Sequence, residues 1–363
     1  MRESILIVSN VTAGLASFRS ELIGTLSRNY EVIILASDNG RKDKLEDLGA
    51  KVISVDMELH GTNPLKEIKL VSYYKKQMRE IKPKIVLTYT IKPNIYAGMA
   101  AANLGIPYVA NITGLGPAVE NGGILQKITI PLYRHGLRKA QKVFFQNESN
   151  RDFMISHHMI KESCYDLLPG SGVNLTKYTV QPYPQTDTVD FVFISRVVKE
   201  KGIEQYLNAA KEIRNKHPET RFHICGGCDE DYEGKLKELH DSGIIIYHGR
   251  IDDVLGMHKQ CSCTVHPSFY AEGMSNVLLE SCACGRPIIT TDRPGCREVV
   301  EDGVNGFVVK QRDSADLIKR IEQFLELSWE ERKSMGLAGR AKVEQEFDRG
   351  IVIKKYMKEI EHV

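Results

Sequence analysis

The feature that most constrains this chain is a regular alternation of short β-branched runs with longer amphipathic stretches, carried through twice. In the first half, Ser4–Ser9, Glu31–Ala36, Lys51–Val55, Ile85–Thr90, Tyr108–Asn111 and Lys142–Gln146 predict strands. Between them, Phe18–Leu26, Leu65–Ile81, Ile95–Leu104 and Ile124–Ala140 space their apolar residues as helices do. Strands and helices in strict alternation predict a parallel sheet covered on both faces. The pattern restarts after Pro182–Asp190, a polar stretch with two prolines that reads as a linker. It continues with strands over Phe191–Ser195, Arg221–Cys225, Ile244–Tyr247, Cys263–His266, Pro287–Thr291 and Gly306–Val309. Helices are predicted over Ile203–Lys216, Tyr232–Asp241, Ser275–Cys284, 314–327 and 329–346, and in the tail from about Arg349.

The fold class is therefore α/β, with two Rossmann-like, doubly wound parallel-sheet domains. Their expected limits are 1–181 and 190–348, with the helix from 349 to 363 packing back on the first. A length of 363 residues suits two such cores better than one. Ligands of open parallel sheets bind beyond the carboxyl ends of the strands, so a site in the cleft between two facing domains is expected. No run of eighteen apolar residues exists, and the N-terminus enters Ile5–Val8 without a cleavable signal pattern. A cytoplasmic protein is expected.

The net charge of +2 hides an asymmetry: residues 1–180 hold 23 basic and 16 acidic residues, and residues 181–363 hold 26 and 31. A basic half suits an anionic partner such as a phosphorylated substrate or a membrane surface. It lacks the basic motif interleaved with aromatics that would point to nucleic acid. Seven of the eight cysteines follow residue 220, among them Cys225/Cys228, Cys261/Cys263 and Cys282/Cys284. Because these pairs fall in apolar runs, reduced buried thiols are expected rather than a zinc site.

The segment with the most chemistry is Phe269-Tyr-Ala-Glu272-Gly273-Met274-Ser275-Asn276-Val-Leu-Leu-Glu280. A loop ending in Gly273 leads into a helix opening near Ser275, and the N–H groups and dipole of such a start favour a phosphate. Glu272 stands before the helix and Glu280 about two turns along it. Two glutamates at this spacing are, by themselves, ordinarily solvated residues flanking a helix. Arg196 and Lys201, five residues apart after a strand, can both reach a diphosphate and neutralise a leaving group.

The stretch from His266 through Glu272 and Glu280 to Pro287 resembles the signature of the retaining family-four glycosyltransferases of GT-B fold. Ser195-Arg196-Val-Val-Lys-Glu-Lys201-Gly202, Glu298-Val-Val-Glu-Asp-Gly303-Val-Asn305-Gly306 and Gly14-Leu-Ala-Ser-Phe18-Arg19 agree with it. The resemblance implies a hexosyl or N-acetylhexosaminyl transferase using a UDP-sugar. It assigns Arg196, Lys201 and Glu272 to catalysis, and Gly14, Gly273, Met274, Ser275, Asn276 and Glu280 to donor binding. It implies no metal or other cofactor; magnesium on Asp229, Glu230 and Asp231 is the alternative. Gly14 is expected in a loop where a side chain would block approach to the donor phosphate.

The family's donor-contacting histidine is absent here, since the segment reads Asn111-Ile-Thr113-Gly114-Leu-Gly116. Asn111, Thr113 and Glu120 become sugar or acceptor candidates. This segment, with Lys92-Pro-Asn-Ile-Tyr96 and Gln146-Asn147-Glu148-Ser149-Asn150, looks like the subgroup that builds bacterial surface polysaccharides and lipid-linked glycans. The implied acceptor is a polyprenyl-diphosphate-linked sugar or growing glycan at the inner face of the cell membrane. Lys127, Arg134, Arg138 and Lys142 fall at helical intervals, so a basic stripe facing anionic lipid is expected. A solvated helix face is the ordinary alternative. Other readings are a nucleotide-sugar epimerase of the same fold, or a catalytically silent sugar-binding partner.

Overall fold

The computed structural model describes residues 2–55, 64–120 and 122–363. The chain divides into two compact units, Met1–Ser171 with Gly350–Val363, and Gly172–Arg349. The segment 172–181 thus groups with the second unit, where the sequence assigned it to the first.

The first unit is built on a seven-stranded sheet of β1 (Ser4–Val11), β2 (Glu31–Ser37), β3 (Lys51–Ser54), β4 (Ile85–Tyr89), β5 (Tyr108–Ile112), β6 (Lys142–Phe145) and β7 (Tyr165–Leu167). Its order is β3-β2-β1-β4-β5-β6-β7, and every pairing is parallel. The strand order reverses between β1 and β4. Alternate strand residues face opposite layers, as the two-residue period requires. Ile5, Ile7, Val32 and Ile34 pack with Leu22, Ile23 and Leu26 on one face, and Val352, Tyr356 and Ile360 of the C-terminal helix Arg349–Glu361 join them. Leu6, Val8, Ile33 and Leu35 pack on the other with Tyr74, Met78 and Ala100–Ala102.

The second unit carries β8 (Val189–Ile194), β9 (Thr220–Cys225), β10 (Ile246–Gly249), β11 (Cys263–His266), β12 (Ile288–Thr291) and β13 (Gly306–Val309). Their order is β10-β9-β8-β11-β12-β13, again all parallel. The supposed linker 182–190 is fastened to this unit. The Arg286 guanidinium, fully buried, donates to the carbonyls of Gln181 and Pro182 at 3.0 and 2.7 Å. Tyr183 donates to the Ser262 carbonyl, Trp329 to that of Pro184, and Asp190 lies buried in β8. The chain passes between units at Ser171/Gly172 and Arg349/Gly350 instead. There the Arg349 guanidinium donates to the Gly172 carbonyl and Val173 bridges Asp348.

Gly14 is not in a loop. It lies inside the short helix Thr12–Phe18, and a Cβ added there would meet nothing within 4 Å. Local space therefore does not require glycine at this position. The basic stripe also breaks. The helix Gly123–Leu137 ends before Arg138, and Lys142 opens β6 and faces Glu359 at 3.9 Å. Arg134 donates to the carbonyls of His157 and His158, and only Lys127 stands exposed inside the helix without such a tether. Pro131 sits inside that helix without ending it.

Strand β7 and the helices Glu148–Ser156 and Val254–Gln260 are additions to the sequence reading. β7 is three residues long with a central Asp166, too short and polar to show a period; pairing with β6 makes it a strand. Among the described residues no helix is long and apolar enough to cross a membrane.

Candidate active site

The site residues of the second unit come together at the carboxyl edge of its sheet, in the loops after β8 and β11. One glycine, Gly202, brings those loops close, and a second, Gly226, brings the loop after β9 against the first of them. Gly202, at φ +79°, lies where a Cβ would come within 2.1 Å of the Pro267 carbonyl oxygen. Gly226 passes so near the Ser195 carbonyl that a Cβ would overlap it. The Phe269 N–H then donates to the Glu200 carbonyl at 2.8 Å, tying one loop to the other.

This packing delivers two cations to one aromatic ring. The Arg196 guanidinium lies 5.5 Å and the Lys201 ammonium 4.8 Å from the centre of the Tyr270 ring. Arg196 is about half exposed and pairs with Asp229 at 3.0 Å. Lys201 is nearly buried and meets Glu272 Oε1 at 2.5 Å. The same oxygen accepts from Ser268 Oγ at 2.9 Å and lies 3.2 Å from His266 Nε2. Burial alone would raise the Glu272 pKa. The Lys201 charge and the His266 contact overcome it and hold the carboxyl well below the usual range. Glu272 is thus a fixed carboxylate beside a fixed ammonium.

Behind it, Ser275 caps the helix Asn276–Ala283 without a side-chain capping bond, so the positive end of the dipole opens beside Gly273. Gly295, at φ +91°, accepts from the Ser275 N–H at 2.8 Å, and its own N–H donates to Glu298. Met274 belongs to the core around Leu278 and Val299, which leaves its backbone as the part nearest the site. Glu280, two turns along, is bonded by the Tyr178 hydroxyl. Burial pushes its pKa up to about 7, against the pull of Tyr178, Lys177 and Arg349. Glu272 and Glu280 therefore have opposite tendencies: one stays charged, and the other sits near half-protonation at neutral pH.

Among the described residues, one cluster brings three ligand-type atoms within 4.8 Å: His266, Glu272 and Cys296. It does not suit a metal. Its carboxylate oxygen already bears an ammonium, and burial holds the Cys296 thiol far up from its ordinary value. The alternative magnesium trio is divided, because Asp229 pairs with Arg196 while Glu230 accepts from the Lys199 N–H. All eight cysteines are free, and burial pushes Cys225, Cys282 and Cys284 up to about 12, far from the thiolate that zinc needs.

In the first unit, Asn111 ends up fully buried on β5 with neither side-chain amide atom hydrogen-bonded, while its carbonyl accepts from Asn94. Thr113 lies in the bend after β5, and Glu120 ends the helical turn Pro117–Glu120. Beside them at the strand-order reversal, Thr90 adopts φ +71°, a conformation that a β-branched residue rarely takes and that concentrates at functional sites. Sequence reasoning missed Thr90, Tyr270, Ser268, His266 and Tyr178. His266, Ser268 and Tyr270 lie inside the motif already singled out, but only the fold shows that they face Lys201 and Glu272.

Two open parallel sheets, one with a cationic and helix-dipole edge, make up the GT-B architecture. Family models agree on both units: "Glycosyl transferase 4-like" matches residues 5–147 and "Glycosyl transferases group 1" residues 179–342. Together the two models cover most of the chain, which belongs to the family-four glycosyltransferases. It is 27% identical to the N,N'-diacetylbacillosaminyl-diphospho-undecaprenol alpha-1,3-N-acetylgalactosaminyltransferase of Campylobacter jejuni, over 97% of this chain and 96% of that one. It is 22% identical to the capsular polysaccharide biosynthesis glycosyltransferase CapM of Staphylococcus aureus, over 96% and 94%. Its fold matches Anabaena HepE, solved with UDP and glucose, at TM-score 0.82, 17% identity and full coverage of both chains. A glycosyltransferase of Rickettsia africae matches at 0.83, with 16% identity over 99% and 98% of the two chains.

Proposed function

We propose that this enzyme moves a hexose or N-acetylhexosamine from a UDP-sugar to a polyprenyl-diphosphate-linked acceptor, with retention and without a metal. The observation that carries the reading is the Arg196/Lys201 pair converging on Tyr270 beside the Asn276–Ala283 helix start. Two fixed cations and a helix dipole offer a diphosphate what a divalent ion otherwise supplies. The C. jejuni relative, named for a diphospho-undecaprenol-linked sugar, and the UDP complexes of HepE support the choice of acceptor and nucleotide.

In this mechanism the sugar–phosphate bond breaks as the acceptor hydroxyl enters on the same face. Arg196 and Lys201 receive the charge growing on the leaving diphosphate, whose oxygen takes the acceptor's proton. Glu272, locked by Lys201, Ser268 and His266, accepts hydrogen bonds from the sugar hydroxyls. Glu280 accepts from the ribose. Positioning and electrostatics supply the rate, and no enzyme nucleophile is needed.

The test is thermal stabilisation by UDP, GDP, ADP and their sugar conjugates with and without EDTA, followed by transfer to a lipid-diphosphate sugar. The reading expects selective stabilisation by UDP or a UDP-sugar that survives EDTA, and a product with the donor's anomeric configuration. Loss of activity in EDTA would remove the metal-free mechanism, and an inverted product would remove retention. Conversion of the donor without acceptor would favour the epimerase.

A further inference from the structure

Nine large hydrophobic residues are exposed among the described residues, and five of them lie on only two helices. Leu65 and Ile68 are 72% and 64% exposed in the first turns of Pro64–Ile81, and Ile124, Leu125 and Ile128 stand out from those of Gly123–Leu137. The second helix faces its core with Thr129, Tyr133, Gly136 and Leu137, which leaves Ile124 and Ile128 largely outside it. Apolar groups gathered in this way mark an interaction surface, unlike single ones scattered over a protein.

Topology puts the two turns on one side of the unit. All strands of the sheet are parallel, so a helix that follows a strand begins at the carboxyl edge. Pro64–Ile81 comes after β3 and Gly123–Leu137 after β5. Both helices pack against the π-helical turn Pro93–Ala97, which places them on the same face.

The exposed charges within these two helix starts are lysines. Lys66, Lys69 and Lys127 are exposed, and Gly123–Leu137 contains no acidic residue. The one carboxylate in the first turn of the other helix, Glu67, is drawn inward by Lys92 at 2.7 Å. Apolar tips ringed by lysines fit the boundary between acyl chains and anionic headgroups.

We infer that the first turns of Pro64–Ile81 and Gly123–Leu137 form one docking surface that inserts into an anionic lipid bilayer. This surface replaces the basic stripe expected from sequence. Its purpose, bringing the carboxyl edge of the first sheet to a lipid-linked acceptor, rests on the function proposed above; its evidence does not.

The test is flotation of the full chain with phosphatidylcholine vesicles, with and without phosphatidylglycerol. Wild type should float with the anionic vesicles. Ile124→Asp with Ile128→Asp, and separately Leu65→Ser with Ile68→Ser, should each lower binding about tenfold. Stabilisation by UDP should stay unchanged in both, and Leu337→Asp, an exposed site on the other unit, should change neither. Absence of wild-type binding, or binding that both pairs leave intact, would overturn the inference. So would a dimer that either pair splits while vesicle binding persists, since the surface would then join two copies. Transfer to a detergent-solubilised lipid-diphosphate sugar separates the two proposals. Transfer without vesicle binding sinks only the docking surface, and vesicle binding without transfer sinks only the acceptor assignment.

Discussion

The two units share a topology and differ at the same place, the carboxyl edge of the sheet. In the second unit that edge is braced and charged. Gly202 and Gly226 press neighbouring loops together, and Lys201, His266 and Ser268 converge on one oxygen of the Glu272 carboxylate. In the first unit the Glu67–Lys92 ion pair lies near that edge instead. The edge itself carries a strained Thr90, a buried Asn111 amide without a hydrogen-bond partner, and helix starts that expose leucine and isoleucine. The same scaffold thus supports one edge with a braced pair of cations and another with exposed apolar helix starts. Rigidity goes with charge because a misplaced ammonium forfeits far more transition-state stabilisation than a misplaced methyl group.

Variants can break that contrast, and the largest effect is expected at Lys201. Lys201→Ala removes one of two cations and leaves Glu272 as a buried, poorly compensated carboxylate. Transfer should fall about 10²–10³-fold in steady-state kinetics, with vesicle binding unchanged. A fall of less than about threefold would take Lys201 out of the leaving-group role. Next comes the bracing. Gly202→Ala forces a side chain into left-handed backbone and onto the Pro267 carbonyl, so it should destabilise the second unit by about 3 kcal/mol in denaturant unfolding.

The third effect follows pH. A folded-state pKa near 7 at Glu280 means that the folded chain keeps a proton the unfolded carboxyl releases near pH 4. Stability should therefore fall by about 2–3 kcal/mol as pH rises from about 4 to 7 and level off above. Glu280→Gln should abolish that slope in pH-resolved thermal melts. Glu272 contributes with the opposite sign: its depressed pKa gives stability that is present above about pH 4 and lost as pH falls further. The smallest effect belongs to Gly14→Ala. With open space around it in a helix, the change should stabilise the first unit by about 0.5–1 kcal/mol. Loss of UDP stabilisation in this otherwise well-folded variant would restore the close-approach role expected from sequence.

Much of the fold was legible because its signals are local. A run such as Ile5–Val8 has one period, and a helix such as Ile203–Lys216 another, and each is set by backbone geometry within a few residues. Both sheets, their parallel sense and the segment from Phe269 to Glu280 were readable for that reason. Strand β7 and the true passages between units were not. Tyr165–Leu167 becomes a strand only through β6, and the 182–190 segment stays fixed only through Arg286, which lies about a hundred residues away in sequence.

The amino-acid order by itself determined which residue types stand near each strand end, and hence that Arg196, Lys201, Glu272 and Glu280 could serve one reaction. Only the tertiary structure decided their states. It set one glutamate beside an ammonium and buried the other behind Tyr178, and it turned Ile124 and Ile128 outward while Tyr133 and Leu137 went in. The reason is physical: residue type and periodicity act over a few neighbours, whereas a pKa or an exposed face depends on every atom the fold brings near.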